Sequence, residues 1–399
     1  MLLFLSALWP AVAAEITVPN MEMASRGRVE DKEFVLSSVI SADLALTGGY
    51  KYSFLLGLSL EADDIARAFA YRNFRAGLLD PADPVSADEY NALANRLNNQ
   101  AFIGFRLAKA TARDLFGLPL EMSYFFGSGD NFCTGDEFPI KFGISPFGTD
   151  FRGFYYFPEG IGGIFSHRYN GIHGVRGTGL SFSLTKWEKI VPMFYIYQNF
   201  ADFWSTTGAN YYSGNIYSGD LRLLLYHDWL RIDAFGGISL NSSLDTNIRG
   251  GLMVHILGNG VEFFAQGGIP GWTTGEKFSI DNIFFLIEPR VHIGLFGINL
   301  TFFYHPAEYN QIITIEEKGK ADINIKFTYG KADSGFAGGI EMGAEFKVDK
   351  MQDIVFRLSP FASFITGGLK WDAKIRIIPQ NYDVPLEMME LFIGVRTAF

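Results

Sequence analysis

The strongest constraint on this chain is a regular exchange of apolar and polar side chains along segment after segment of about ten residues, the length of a tilted membrane-crossing strand. Ile323, Ile325, Phe327 and Tyr329 stand against Asp322, Asn324, Lys326 and Thr328. Ile340, Met342, Ala344, Phe346 and Val348 stand against Glu341, Gly343, Glu345 and Lys347, and Trp371, Ala373, Ile375 and Ile377 against Lys370, Asp372, Lys374 and Arg376. Earlier segments repeat it: Leu221, Leu223 and Leu225 oppose Asp220 and Arg222, Leu230, Ile232 and Ala234 oppose Arg231 and Asp233, and Ile248, Leu252 and Ile256 oppose Arg249 and His255. A strand sends successive side chains to opposite faces, so each segment is a strand with one greasy and one water-seeking face.

Composition narrows where such strands can live. The 399 residues are 16% aromatic but only 19% charged, with 44 glycines. Beyond the N-terminus no window approaches the roughly 18 unbroken apolar residues that a spanning helix needs. A chain like this enters a bilayer only as a closed sheet, which satisfies every backbone group in lipid. The net charge of −10 and the lack of any Lys/Arg cluster exclude a nucleic-acid partner. The one cysteine, Cys133, allows neither an internal disulfide nor a multi-cysteine metal site, and reads as incidental within a Gly-rich loop at 127–136.

The last segment carries a family resemblance. Met389, Leu391, Ile393, Val395, Thr397 and Phe399 form one row, and Glu390, Phe392, Gly394, Arg396 and Ala398 the other. Apolar residues at alternate positions running back from a terminal Phe resemble the C-terminal strand of bacterial outer-membrane β-barrel proteins. That resemblance implies a porin-like barrel in the outer membrane of a Gram-negative-type envelope. It also implies Phe399 as the assembly signal read by the barrel-assembly machinery, surrounding lipid as partner, and room for a homo-oligomer. Connection lengths agree: working back from Phe399, tight turns near 367–368, 330–335, 296–297, 258–260 and 227–228 alternate with longer connections at 306–320, 270–280 and 201–217. Such barrels have short periplasmic turns and longer extracellular loops.

The expected fold is therefore all-β, a transmembrane antiparallel up-and-down barrel of about 16–18 strands. A barrel of about 14 strands with the first hundred residues as a plug is the alternative. Residues 1–14 read as a signal peptide, apolar and ending Ala11-Val-Ala-Ala14, although no Lys or Arg precedes Leu2. Residues 15–399 form one barrel domain with long inserts at 61–99 and 127–173. The first insert holds a capping box at Ser86-Ala-Asp-Glu89 and two helical stretches, near 64–75 and 90–97. The second, rich in Gly and Phe, is a candidate for narrowing the bore.

The polar row carries the functional expectation. Arg222, Arg231, Arg249, Asp322, Lys326, Glu341 and Glu345 fall on it, as do Lys347, Arg357, Lys370, Asp372, Lys374 and Arg376. A cation on the lipid face near mid-membrane costs about 2–4 kcal/mol, so these side chains are expected to line the pore. They serve either a conducting, wet lumen or a closed barrel locked by salt bridges. No motif supports a metal, cofactor or enzyme reading: the histidines lack metal-ligand spacing, and no Gly-x-Ser-x-Gly or phosphate loop occurs. His292 sits near Arg290 and Glu288 in a polar cluster, and Asp130, Asp136 and Glu137 read as solvated carboxylates. The expected function is passive passage of small polar solutes. A weaker resemblance is to long-chain fatty-acid transporter barrels, with Phe151 to Phe157 as a greasy site but without that family's Asn-Pro-Ala hatch motif. The remaining alternative is an adhesin or structural barrel acting through its loops.

Overall fold

A computed structural model of the chain describes residues 15–30, 32–62, 102–150, 171–199, 216–240, 246–305, 319–331, 335–347 and 350–397. The expected leader, the helical stretches of the first insert, residues 151–157, the loop at 201–215, Val348 and Phe399 lie outside these residues. The wall begins with β1 (Glu15–Glu30), β2 (Glu33–Gly48), β3 (Tyr52–Ala62), β4 (Phe102–Ala112), β5 (Leu120–Phe132) and β6 (His173–Leu184). It continues with β7 (Ile190–Asn199), β8 (Ile216–His227), β9 (Leu230–Leu240), β10 (Thr246–Leu257), β11 (Val261–Thr273) and β12 (Phe284–Ile293). The last strands are β13 (Phe296–His305), β14 (Lys320–Gly330), β15 (Phe336–Lys347), β16 (Lys350–Thr366), β17 (Leu369–Ile377) and β18 (Met389–Thr397).

Each strand pairs antiparallel with the next, and β18 closes on β1 with Glu22 opposite Arg396, giving one 18-stranded barrel. The 14-stranded alternative falls here. Residues 15–30 are not a plug but a wall strand held between β18 and β2. Their alternation is faint in sequence because Ser25 and Gly27 interrupt the outward row, and a bulge between Thr17 and Asn20 shifts the register.

The outward row is apolar along most of the wall, as with Leu252, Ile323, Phe327, Ile340 and Ile393, all exposed. At the end with the tight turns it finishes in exposed rings, including Tyr50, Trp187, Trp229, Phe296 and Phe336. An apolar band bordered by aromatic rings is the surface a closed sheet presents to lipid, and the tight turns mark the periplasmic end. The second insert is shorter than expected. Gly127 to Phe132 continue β5, because a register shift between Ser128 and Asn131 absorbs a sequence that looks like a turn.

Candidate functional site

Past Phe132 the chain turns into the bore. Cys133 has φ 63, a left-handed conformation that permits the sharp change of direction. A short helix, α1 (Glu137–Phe142), follows, with Phe138 fully buried. Aromatic contacts seat this segment on the inner wall. Phe142 stacks on Tyr226 with ring centroids 5.3 Å apart, and Phe147 stacks on His255 at 4.8 Å. The Arg231 guanidinium lies 4.3 Å from the centre of the Phe147 ring.

Two buried polar clusters fasten the ends. At the first, the Asp233 carboxylate accepts bonds from Arg222 Nε at 2.9 Å, Arg222 Nη2 at 2.7 Å and the Cys133 N–H at 2.7 Å. Arg222 also donates to the Asn131 carbonyl and covers the Phe132 ring, while the Gln266 amide donates to the Cys133 carbonyl. At the second, Glu288 accepts from Thr149 Oγ1 at 2.7 Å, the Asp150 N–H at 3.0 Å and Thr301 Oγ1 at 2.8 Å. Arg290 bridges Glu288 and the Gly148 carbonyl. The Asp150 carboxylate accepts from Asn299 and from Lys326 Nζ, the latter at 3.2 Å. Lys141, on α1, reaches Glu121 at 2.7 Å. Residues 133–150 thus form a belt across the inside of the barrel from β5 round to β14. Removing one partner of such a buried pair typically costs about 3–5 kcal/mol, because the other charge is left uncompensated.

The belt's own carboxylates differ. Burial works to raise the Asp150 pKa, but the Lys326 and Arg290 cations outweigh it and hold this carboxyl at about 2. Burial, reinforced by the Asp130 carboxylate, instead pushes the Glu137 pKa up.

The wall from β15 through β18 and β1 to β4 faces the belt and carries its own ion pairs. Lys374 Nζ lies 2.5 Å from Glu341, Arg376 3.0 Å from Glu390, and Arg396 3.5 Å from Asp372, while Arg106 pairs with Asp43. Arg106 and Arg396 point inward, yet each side chain is 36% exposed, and that of Asp150 is 32% exposed. Charges of both signs therefore meet solvent on the inner side of the wall.

Known structures share this architecture. OccAB2 of Acinetobacter baumannii matches with a TM-score of 0.51 at 8% identity, over 96% of this chain and 97% of that one. OccK8 (OprE) of Pseudomonas aeruginosa matches at 0.50 and 10% identity, over 96% and 98%. OccAB3 of A. baumannii matches at 0.50 and 11% identity, over 97% and 99%. No protein-family model and no curated protein sequence matches the chain. The fold is that of a porin-like outer-membrane barrel.

In this porin-like barrel the expected polar row is the inward row. Arg222 and Arg231 hold the belt, and Lys326 joins it through Asp150. Arg249 donates to Asp220 at 2.7 Å and to Ser239 and Tyr197. Arg357 pairs with Asp322 at 3.4 Å and with Glu345, which also meets Lys320 at 3.5 Å. Glu341 joins Lys374 to Asn324, and Asp372 accepts from Ser363. Arg376 covers the Phe392 ring at 4.7 Å. Lys347 and Lys370 occupy inward register positions, opposite Lys320 and Arg396.

Three readings need correction. Asp130 and Glu137 are not solvated: Asp130 pairs with Lys109 at 2.9 Å and accepts from Tyr195, and Glu137 is buried on the belt. Cys133 is not incidental, since its backbone carries both bonds of the first cluster. Of the His292 cluster, Glu288 and Arg290 do pair, but His292 itself is exposed at the end of β12. Arg106 escaped sequence reasoning because a register shift beside Gly57 breaks the alternation at that point. Asp150 escaped it because its insert has no periodicity to read.

Proposed function

We propose that the barrel is a passive channel for small polar solutes, the route running between the belt and the wall from β15 to β4. The observation that carries this reading is the solvent exposure of inward-pointing Arg106, Arg396 and Asp150, which a dry, fully locked bore would not give. Asn299, which holds Asp150, sits nine strands round an 18-stranded wall from Arg106, so the exposed anion and cation flank the route from opposite sides. A solute between them experiences a transverse field, and passage is set by width and by this charged lining. In this reading Lys326, Arg357, Lys370, Asp372, Lys374 and Arg376 line the path, and the belt sets its width.

Planar-bilayer recording tests it. The purified barrel should give discrete ohmic current steps, and Arg396→Glu should shift the reversal potential in a salt gradient toward cation preference. Folded protein, verified by circular dichroism and heat-modifiable gel mobility, that passes no current would overturn the proposal.

A further inference from the structure

The outer surface is notched near the periplasmic ends of β13, β14 and β15. Phe296, Ile298, Phe327, Tyr329 and Ile340 surround a cavity of about 420 Å³, whose lining is almost entirely apolar. Its floor is Gly338, which sends no side chain outward and stands between Tyr329 on β14 and Ala362 on β16. The Phe296 and Tyr329 rings, 5.0 Å apart, make one side. Every other stretch of outward wall around it presents full-sized side chains to lipid; this one withholds them.

A cation sits at the mouth. The outward row of β14 runs Phe327, Tyr329 and then Lys331, which is exposed and whose N–H donates to the Phe336 carbonyl at 3.2 Å. Among the described residues of the three adjoining turns (294–295, 331 and 335, 367–368), Lys331 is the one charged side chain. The tight turns place it at the periplasmic headgroup level, one strand step below an apolar slot. A molecule complementary to both features has a hydrocarbon tail and a negative head on the periplasmic side.

We propose that the notch binds an anionic phospholipid of the periplasmic leaflet, one acyl chain lying over Gly338 and its phosphate meeting Lys331. The cavity falls within the roughly 300–1,000 Å³ of built small-molecule sites. A basic side chain at a membrane surface favours an anionic lipid about fivefold.

The experiment uses the full barrel folded in detergent, incubated with equimolar phosphatidylglycerol and phosphatidylethanolamine, with retained lipid counted by native mass spectrometry. Wild type should keep one phosphatidylglycerol in preference to phosphatidylethanolamine. Lys331→Gln should lower that preference about fivefold while lipid of either kind is still retained. Gly338→Leu, which fills the slot, should abolish retention of both. Equal retention of the two lipids by wild type, retention unchanged in both variants, or a second copy of the chain held in place of lipid would each overturn the proposal. Lys331→Gln alters an exposed turn only, so it decides the matter even where Gly338→Leu fails to fold.

Discussion

Asp150 shows how much one side chain can carry. Its N–H and carboxylate both join the belt to the wall, and its remaining surface faces the bore. Because its pKa is held at about 2 against an ordinary 3.8, the ionised form contributes stability above about pH 4 that is lost as pH falls through 2. The contribution is at most about 2 kcal/mol, and less given its exposure to screening solvent. In bilayer recordings, acidification from about pH 5 to about pH 2 should move the wild-type reversal potential toward anion preference. Asp150→Asn should show that shift already at neutral pH and little further change on acidification; a variant that tracks wild type would contradict the role. Nothing in the sequence singled this residue out, since it follows a Gly- and Phe-rich insert with no period, and its partners are wall residues more than a hundred positions away.

At the scale of elements, several ion pairs on the inner wall skip a strand. Asp220 on β8 meets Arg249 on β10, and Asp43 on β2 meets Arg106 on β4. Each crossing passes over a glycine of the intervening strand. A Cβ on Gly237 would overlap the Asp220 carboxylate and stand 2.8 Å from the Gly219 carbonyl, while one on Gly57 would lie 3.0 Å from both Arg106 Nη2 and Asp43 Oδ1. Gly237→Val should therefore displace Asp220 from Arg249 and destabilise the folded barrel by about 1–3 kcal/mol, as overpacking does. Urea unfolding of the detergent-folded protein measures it, and an unchanged midpoint would show that the crossing tolerates a side chain. Polar alternation announced the charges of these pairs but not their glycines, because a glycine belongs to neither the apolar nor the polar class.

For the molecule as a whole, the division between lipid and water decides what the wall tolerates. Inward cations such as Arg222 and Lys374 are buried in ion pairs. The outward Leu252, midway along β10, has only lipid to meet. Leu252→Arg should cost about 2–4 kcal/mol in folding into vesicles, whereas the same charge already stands at Arg249 on the inner face. Equal folding free energies for wild type and variant would mean that this face is not in hydrocarbon.

The sequence by itself determined which side of the wall almost every strand residue takes. A period of two leaves one choice per strand, and the cost of charge in lipid makes that choice. Only the tertiary structure decided that the wall closes at eighteen strands, that residues 15–30 belong to it, and that residues 133–150 lie inside as a belt. Those outcomes rest on contacts between distant positions, such as Asp150 with Lys326, 176 residues apart. Local alternation cannot encode such contacts, because side-chain direction is fixed by neighbours along the chain and ring closure and loop docking by partners across space.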